Sequence, residues 1–207
     1  MYTPKHYSVP DVATCHDMIE ADPFGLLVCA GFDDDVPSAS HLPFHLVRET
    51  GELGELHVHL ARANPQSKEL NGKKVRCIFS GPHAYISPTW YESGAAVPTW
   101  NYTAVHCIGV AVQTADPEEM SRQMEQLTAV YERGGSWRYG DLPDDYRRGM
   151  LKGITGFRIR IEQLIGKAKL NQNKSDSDIA GSVAGLRTTG RLDDAVVADL
   201  MDSAGKR

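Results

Sequence analysis

The stretch Leu56-His57-Val58-His59-Leu60-Ala61-Arg62-Ala63-Asn64-Pro65-Gln66-Ser67-Lys68 changes character halfway along. Leu56 to Ala63 reads as a strand whose odd positions share one face. Pro65 stops the ladder because it has no N–H to give. Arg62, Asn64, Gln66, Ser67 and Lys68 then project from the strand end and the turn after it. Guanidinium, ammonium, amide and hydroxyl groups in one place suit an oxyanion. A helix opened by Ser67 near Glu69-Leu70 would add free N–H groups. The same residues also fit an ordinary polar turn.

On the N-terminal side, Ala39 to Arg48 is strand-like and joins this strand through Glu49-Thr50-Gly51-Glu52-Leu53-Gly54, a hairpin-like connection. His41, His45, His57 and His59 fall at odd positions, so the hairpin gathers imidazoles. Neutral imidazole is a common metal ligand. No Cys or carboxylate spacing completes a tetrahedral set, however, and no metal site is expected. Phe24 to Gly31 is a short buried strand, Asp33-Asp34-Asp35-Val36-Pro37 a polar turn, and Pro10 to Glu20 a helix with Val12, Cys15 and Ile19 on one face.

On the C-terminal side, Lys73 to Ser80, Ala84 to Tyr91 and Tyr102 to Gln113 read as strands, with a loop from Glu92 to Pro98. Asp116 is the N-cap of a helix, with Pro117 at N1, Glu119 at N3 of a capping box, and an apolar stripe of Met120, Met124, Leu127 and Tyr131. Gly134-Gly135 stops it, and a polar segment from Ser136 to Asp145 leads to a last strand. There Phe157, Ile159 and Ile161 alternate with Arg158, Arg160 and Glu162, one face buried and one wet. Ser175 with Asp178 caps a tail helix, and Asp193 opens another. Six or seven strands with one or two helices predict a mainly β (α+β) chain, a small barrel with peripheral helices.

Composition sets the bounds. The 207 residues make one domain, or one domain with an appendage. No apolar run approaches the roughly 20 residues of a membrane span, and Met1 to His6 lack a secretory pattern, so a cytoplasmic protein is expected. Cys15, Cys29, Cys77 and Cys107 form no CxxC pair and read as free, buried thiols. Phosphate-loop, GxGxxG, GxSxG and HExxH signatures are missing, which disfavours kinase, dehydrogenase, serine-hydrolase and zinc-protease chemistry. Net charge is −5, yet Arg147 to Lys174 carries +7, leaving −12 for the rest. Such a stripe is either a solvated face or a surface for an anion, a nucleic acid or an acidic partner. Trp90, Tyr91, Trp100 and Tyr102 cluster around Pro88 and Pro98, as in a pocket wall, a core or an interface.

Five blocks occur in order: His41-Leu42-Pro43-Phe44, Ala61-Arg62-Ala63-Asn64-Pro65-Gln66, Gly81-Pro82-His83-Ala84-Tyr85-Ile86-Ser87-Pro88, Val97-Pro98-Thr99-Trp100-Asn101-Tyr102 and Lys169-Leu170-Asn171-Gln172-Asn173. With Met1-Tyr2-Thr3-Pro4, they make the chain resemble, over nearly its whole length, the PaiB-type family, described as FMN-binding negative transcriptional regulators. The resemblance implies a homodimeric split β-barrel related to pyridoxamine-phosphate oxidases, with flavin sites in the groove between subunits. It implies a barrel domain over residues 1–174 and a C-terminal helical extension, 175–207, packed on the barrel or the dimer partner. It assigns the flavin phosphate to Arg62, Asn64, Ser67 and Lys68, with Ala63 among the cofactor-binding residues, and puts Ser40, His41, Leu42 and Pro43 near the isoalloxazine. Trp100, Asn101, Tyr102, Lys169, Asn171 and Gln172 would complete the pocket. His45 and His57 depart from the family pattern, which has apolar or variable residues there.

Three functions follow. The first is flavin-dependent redox activity on a small molecule, with His41 and His59 as proton carriers. The second is a regulator that uses flavin as a sensor or not at all, its basic stripe facing DNA or a protein partner. The third is a haem-binding barrel, for which no axial ligand stands out. No helix-turn-helix pattern is present, and the acidic net charge disfavours sequence-independent DNA binding.

Overall fold

The computed structural model describes residues 1–31 and 36–204. The expected acidic turn at Asp33 to Asp35 lies outside them. The described residues form eight strands and six α-helices: β1 (Ser8–Val9), α1 (Val12–Ala21), β2 (Phe24–Cys29), β3 (Ser38–Pro43), β4 (His45–Val47), β5 (Glu55–Ala61), α2 (Pro65–Glu69), β6 (Lys74–Ile86), β7 (Thr99–Gln113), α3 (Pro117–Tyr131), α4 (Asp144–Leu151), β8 (Ile154–Lys169), α5 (Asp176–Thr188) and α6 (Leu192–Ala204). The sheet order is β3-β2-β6-β7-β8-β5-β4, with β1 also on β8. Two compact units divide the chain, and β6, β7 and β8 each contribute to both.

The first unit comprises His16–Phe79 and His106–Leu164. Its topology turns on one residue. The strand expected from Ala39 to Arg48 is parted at Phe44 into β3 and β4. β3 pairs antiparallel with β2, Leu26 opposite His41, while β4 pairs antiparallel with β5, His45 opposite His57. These are opposite ends of the strand order, so the sheet closes on itself with a seam between β3 and β5. Phe44 holds the corner: its N–H donates to the Pro23 carbonyl, and its fully buried ring meets Phe79 edge-on, centroids 5.2 Å apart. Leu27, Leu56, Val58, Cys77, Phe157 and Ile159 fill the interior. Each such side chain contributes roughly 1.5–3 kcal/mol on burial.

A seam exposes strand-edge polar groups, and α2 meets them. Gln66, 4% exposed, donates through Nε2 to the Ser38 carbonyl at 3.3 Å and the Cys29 thiol at 3.2 Å. Its Oε1 accepts from the Ser40 hydroxyl at 2.6 Å, and the Asn64 amide donates to the same hydroxyl at 3.1 Å. A buried amide with these partners is stable only because its groups are matched.

Several local expectations hold and others change. Asp116 caps α3 by accepting from the Glu118 N–H, but Glu119 pairs with Arg158 at 3.0 Å and so makes no capping box. Met120, Met124 and Leu127 pack against Tyr139, and Gly156 lets α3 approach β8, since a Cβ there would lie 2.2 Å from the Met120 sulfur. Past the expected polar segment, whose last residues Asp144 and Asp145 open it, lies α4, a helix with no fully buried residue; of its apolar side chains only Leu151 packs, half-buried, against the cluster of Met120 and Tyr139. Phe157, Ile159 and Ile161 are buried and Arg160 and Glu162 exposed, as the alternation predicts. All four cysteines are buried, and Cys15, Cys29 and Cys77 are free thiols.

The second unit comprises Met1–Cys15, Ser80–Val105 and Ile165–Arg207, described to Ala204. The strands expected at Lys73–Ser80 and Ala84–Tyr91 are one strand, β6, which runs through Gly81-Pro82 and ends before Ser87. Gly81 permits this because a Cβ would sit 2.1 Å from the Thr103 hydroxyl. Pro88 to Trp90 form a 3₁₀ turn capped by Ser87. Ala84 and Ile86 pack with Leu170, Val183, Leu186 and Met201, joining the strands to α5 and α6. Ser175 caps α5 by accepting from the Asp178 N–H. Gly181 and Gly185 of α5 press bare backbone on Trp90, and the Asp178 carboxylate accepts from the Glu92 and Ser93 N–H groups at 2.9 and 3.0 Å.

Replacing Gln66 by Leu keeps the volume and orphans the polar seam. The expected loss is about 1–3 kcal/mol of unfolding free energy, read by urea denaturation. A loss under about 0.5 kcal/mol, the range of ordinary surface changes, would show that the seam does not depend on this amide.

Candidate functional site

The strand-to-turn stretch builds one polar corner in the first unit. α2 opens at Pro65, not at Ser67: Asn64 is the N-cap, its Oδ1 accepting from the Gln66 N–H at 3.0 Å, and Pro65 supplies the φ of a first helical residue. Ser67 therefore lies inside the turn. It is 5% exposed and donates to the Asn64 carbonyl at 2.8 Å. Arg62 is partly committed too: Nε donates to the Lys152 carbonyl and Nη2 to the Ile154 carbonyl, both at 2.7 Å. Its Nη1 is left for another partner. Lys68 is exposed, and its ammonium makes no hydrogen bond or ion pair among the described residues. Ala63 is an exposed turn residue.

β3 lies beside this corner. The Ser40 hydroxyl joins Asn64 to Gln66. His41 is exposed and stacks on Phe24, centroids 6.3 Å apart; Leu42 and Pro43 are half-buried. Among the described residues β3 has a strand on one edge only, so part of its backbone polar edge is left for other partners. The sheet face carrying His41 continues through Leu26 and Ile78, and its outer positions include Phe24, 56% exposed.

The structure thus brings together Ser40, Arg62, Asn64, Ser67 and Lys68. A free ammonium, part of a guanidinium, a hydroxyl and an amide, an open strand edge and a half-buried apolar face are the groups a phosphorylated, flat, polar-edged molecule needs. The donor set fits FMN.

The other expected residues belong to the second unit. Trp100 is half-exposed and Tyr102 half-buried. Asn101 is fully buried, its amide donating to the Met201 sulfur at 3.3 Å and its Oδ1 without a partner. Lys169 donates to the Thr99 hydroxyl and the Trp100 carbonyl, each at 2.6 Å. Asn171 takes a left-handed φ of 64°, which Asn tolerates, and its amide donates to the Tyr91 and Ser182 hydroxyls. Gln172 closes a turn, accepting from the Leu170 N–H and donating to the Ala168 carbonyl. Asn171 and Gln172 spend their side chains on the fold.

The hairpin histidines separate. His45 and His57 face each other with centroids 5.8 Å apart, and Glu55 lies 2.9 Å from His57 Nε2. The break at Phe44 takes His41 to the other end of the sheet order. No group of three or more metal-ligating side chains occurs among the described residues. The Nδ1 atoms of His45, His57 and His59 are buried and have no hydrogen-bond partner among the described residues. Burial lowers the pKa of His45 and His59, and it brings His106, which meets Arg76 at 3.1 Å, down to about 4. The basic stripe is neutralised in part: Arg147 pairs with Asp144 and Arg158 with Glu119, and Lys167 is buried.

A sheet closed on itself with a seam is a split barrel, and comparison with known proteins gives its family. Residues 1–163 match the family described as "Putative FMN-binding domain", and the chain belongs to that family. It is 30% identical to the Bacillus subtilis protease synthase and sporulation protein PAI 2, over 100% of this chain and 99% of that one. An uncharacterized Aspergillus fumigatus protein is 29% identical over 92% of each chain. Among solved structures, the fold resembles an FAD and haem binding protein from Mycobacterium smegmatis, with TM-score 0.62, 16% identity and coverage of 84% of this chain and 79% of that one. It also resembles the flavocytochrome Anf3 from Azotobacter vinelandii, with TM-score 0.62, 15% identity and coverage of 86% and 78%. This is an FMN-binding split-barrel protein of the PaiB type. No helix among the described residues is long and apolar enough to cross a membrane.

His45, His59 and His106 have folded-state pKa values below that of a free imidazole. The unfolded chain therefore binds protons more readily, and stability is complete above about pH 6.5 and lost as the pH falls below it. The melting temperature should drop by several degrees between pH 7.5 and 5.5, where carboxylates do not titrate, and the drop should shrink in His59→Gln. Equal melting temperatures at both pH values would contradict this reading.

Proposed function

We propose that this chain uses FMN for redox chemistry on a small molecule, working as a homodimer in the cytoplasm. The observation that carries the reading is the corner between β3 and α2, where Asn64 and Gln66 bond to Ser40 and Ser38 of β3 and Lys68, two residues further along α2, is exposed and uncommitted. Bound FMN supplies hydride or single-electron chemistry at its ring.

The chain's own residues have separable tasks. Lys68, with Arg62 Nη1, neutralises the phosphate, and Ser40 and Asn64 offer polar contacts to the hydroxylated chain. The open edge of β3, His41 to Pro43, offers backbone N–H and C=O groups to the polar rim of the ring. His41 is the proton carrier this arrangement favours, because it is exposed on β3. His59 fits that task poorly, since its Nδ1 is buried and burial keeps the imidazole neutral. Ser67 and Ala63 shape the turn.

The half-buried face of β2, β6 and β7 supports the dimer. Leu26, Val28, Ile78, Ile108 and Val110 lie on it, with Val112 47% exposed. A second copy would remove these side chains from water. The DNA-facing alternative draws less support, because Arg158 is already neutralised by Glu119.

An ultraviolet–visible spectrum after FMN addition and gel filtration tests the reading. A two-banded flavin spectrum should travel with a dimer-sized peak, and Lys68→Ala should weaken FMN binding at least about tenfold, the loss of one charge-assisted contact. The reduced, loaded protein should pass electrons to a small quinone faster than free reduced FMN does. Equal rates would favour a sensor, an intense haem band would favour haem, and no FMN uptake would overturn the proposal.

A further inference from the structure

Three lysines of the second unit hold their charge in an unusual way. The Lys167 ammonium lies 4.9 Å from the Tyr102 ring centroid and donates to the Tyr2 carbonyl at 3.1 Å. Lys169 lies 5.9 Å from the Tyr7 ring and donates to the Thr99 hydroxyl and the Trp100 carbonyl. Lys174 lies 4.7 Å from the Tyr91 ring. Rings, carbonyls and a hydroxyl are thus their partners. Among the described residues none of the three forms an ion pair with a carboxylate. Asp178 is occupied by the Glu92 and Ser93 amides.

The three feel one another. Burial lowers the Lys169 pKa first, and the charges of Lys167 and Lys174 lower it further. Like charges gathered without a counter-ion oppose folding, and an incoming anion removes that repulsion. Cation–ring contacts hold such charges in place without neutralising them.

Beside the ammonium groups is an open aromatic surface. Trp100 is 50% exposed and Tyr85 45%, with ring centroids 6.0 Å apart and edge to face. The His83 ring lies 6.1 Å from Trp100 on its other contact. Lys169 bonds to the carbonyl of Trp100 itself, so ammonium and indole are fixed to the same residue. An exposed indole flanked by rings gains most from a flat apolar partner.

We propose that Trp100, Tyr85 and Lys169, supported by Lys167 and Lys174, form a binding site for a small flat aromatic anion, an aryl carboxylate or aryl phosphate. The ring stacks on the indole and the anionic group meets the lysines. The site needs no flavin to form, so it goes beyond the flavin reading and stands or falls separately. It also gives Trp100, Tyr102 and Lys169 a task other than the flavin contact that family resemblance implies.

The full-length protein, with and without FMN, is titrated with fluorescent 1-naphthoate, and 1-naphthamide serves as the uncharged probe of the same shape. Naphthoate should bind saturably in both forms, and naphthamide at least tenfold more weakly. Lys169→Gln and Trp100→Leu should each weaken naphthoate at least tenfold while FMN retention stays unchanged. Lys174→Gln, whose ammonium has only a ring contact to lose, should weaken it severalfold if Lys169→Gln fails to fold. Equal binding of naphthamide, or displacement of naphthoate by a short oligodeoxythymidine, would overturn the assignment. So would loss of FMN in the lysine variants with naphthoate binding intact, which would return these lysines to the flavin.

Discussion

The parting of one extended stretch at Phe44 is the constraint on which the first unit depends. β3 and β4 leave that residue for opposite ends of the strand order, which closes the sheet and leaves a seam. An open seam would leave strand-edge groups unpaired beside a hydrophobic interior, at a cost of several kcal/mol. Gln66 and Asn64 prevent this by taking their hydrogen bonds to Ser38, Ser40 and Cys29. The turn that carries them also carries Lys68. Closing the barrel and holding an uncommitted cation at the surface are therefore two results of one local structure.

Residues of similar chemistry divide between these two tasks. Arg62 and Lys68 read alike as phosphate donors, yet Arg62 gives two of its N–H groups to the carbonyls leading into β8 and Lys68 gives none. Ser67 is likewise spent on its own turn, while Asn64 caps that turn through Oδ1 and reaches Ser40 through its amide. In the second unit Asn171 and Gln172 build the end of β8, whereas Lys169 holds a charge beside an exposed indole. Uncommitted charge and exposed ring area, rather than residue type, mark where each unit can meet a ligand.

Much of this was legible in the chain. The alternation of Phe157, Ile159 and Ile161 with charged residues needs only a period of two, and the caps at Asp116 and Ser175 need only local geometry. The hairpin pairing His45 with His57 follows from its connection. What sequence did not reveal depends on distant partners. The break at Phe44 is set by Pro23 and Phe79, the passage of β6 through Gly81-Pro82 by Thr103, and the pairing of Glu119 by Arg158. α4 is short, and of its apolar side chains only Leu151 is half-buried, which leaves little apolar pattern to read. Asn64, instead of Ser67, opens α2 because Pro65 fits the first helical position. The polar corner was visible as a list of side chains, but which of them remained free was not.

Hydrogen exchange with and without FMN tests the central claim most directly, because it reads backbone protection segment by segment. Binding along the open edge of β3 and the turn into α2 predicts slower exchange in residues 38–43 and 62–69. Protection confined to residues 99–102 and 167–174, with β3 and α2 unchanged, would contradict the account.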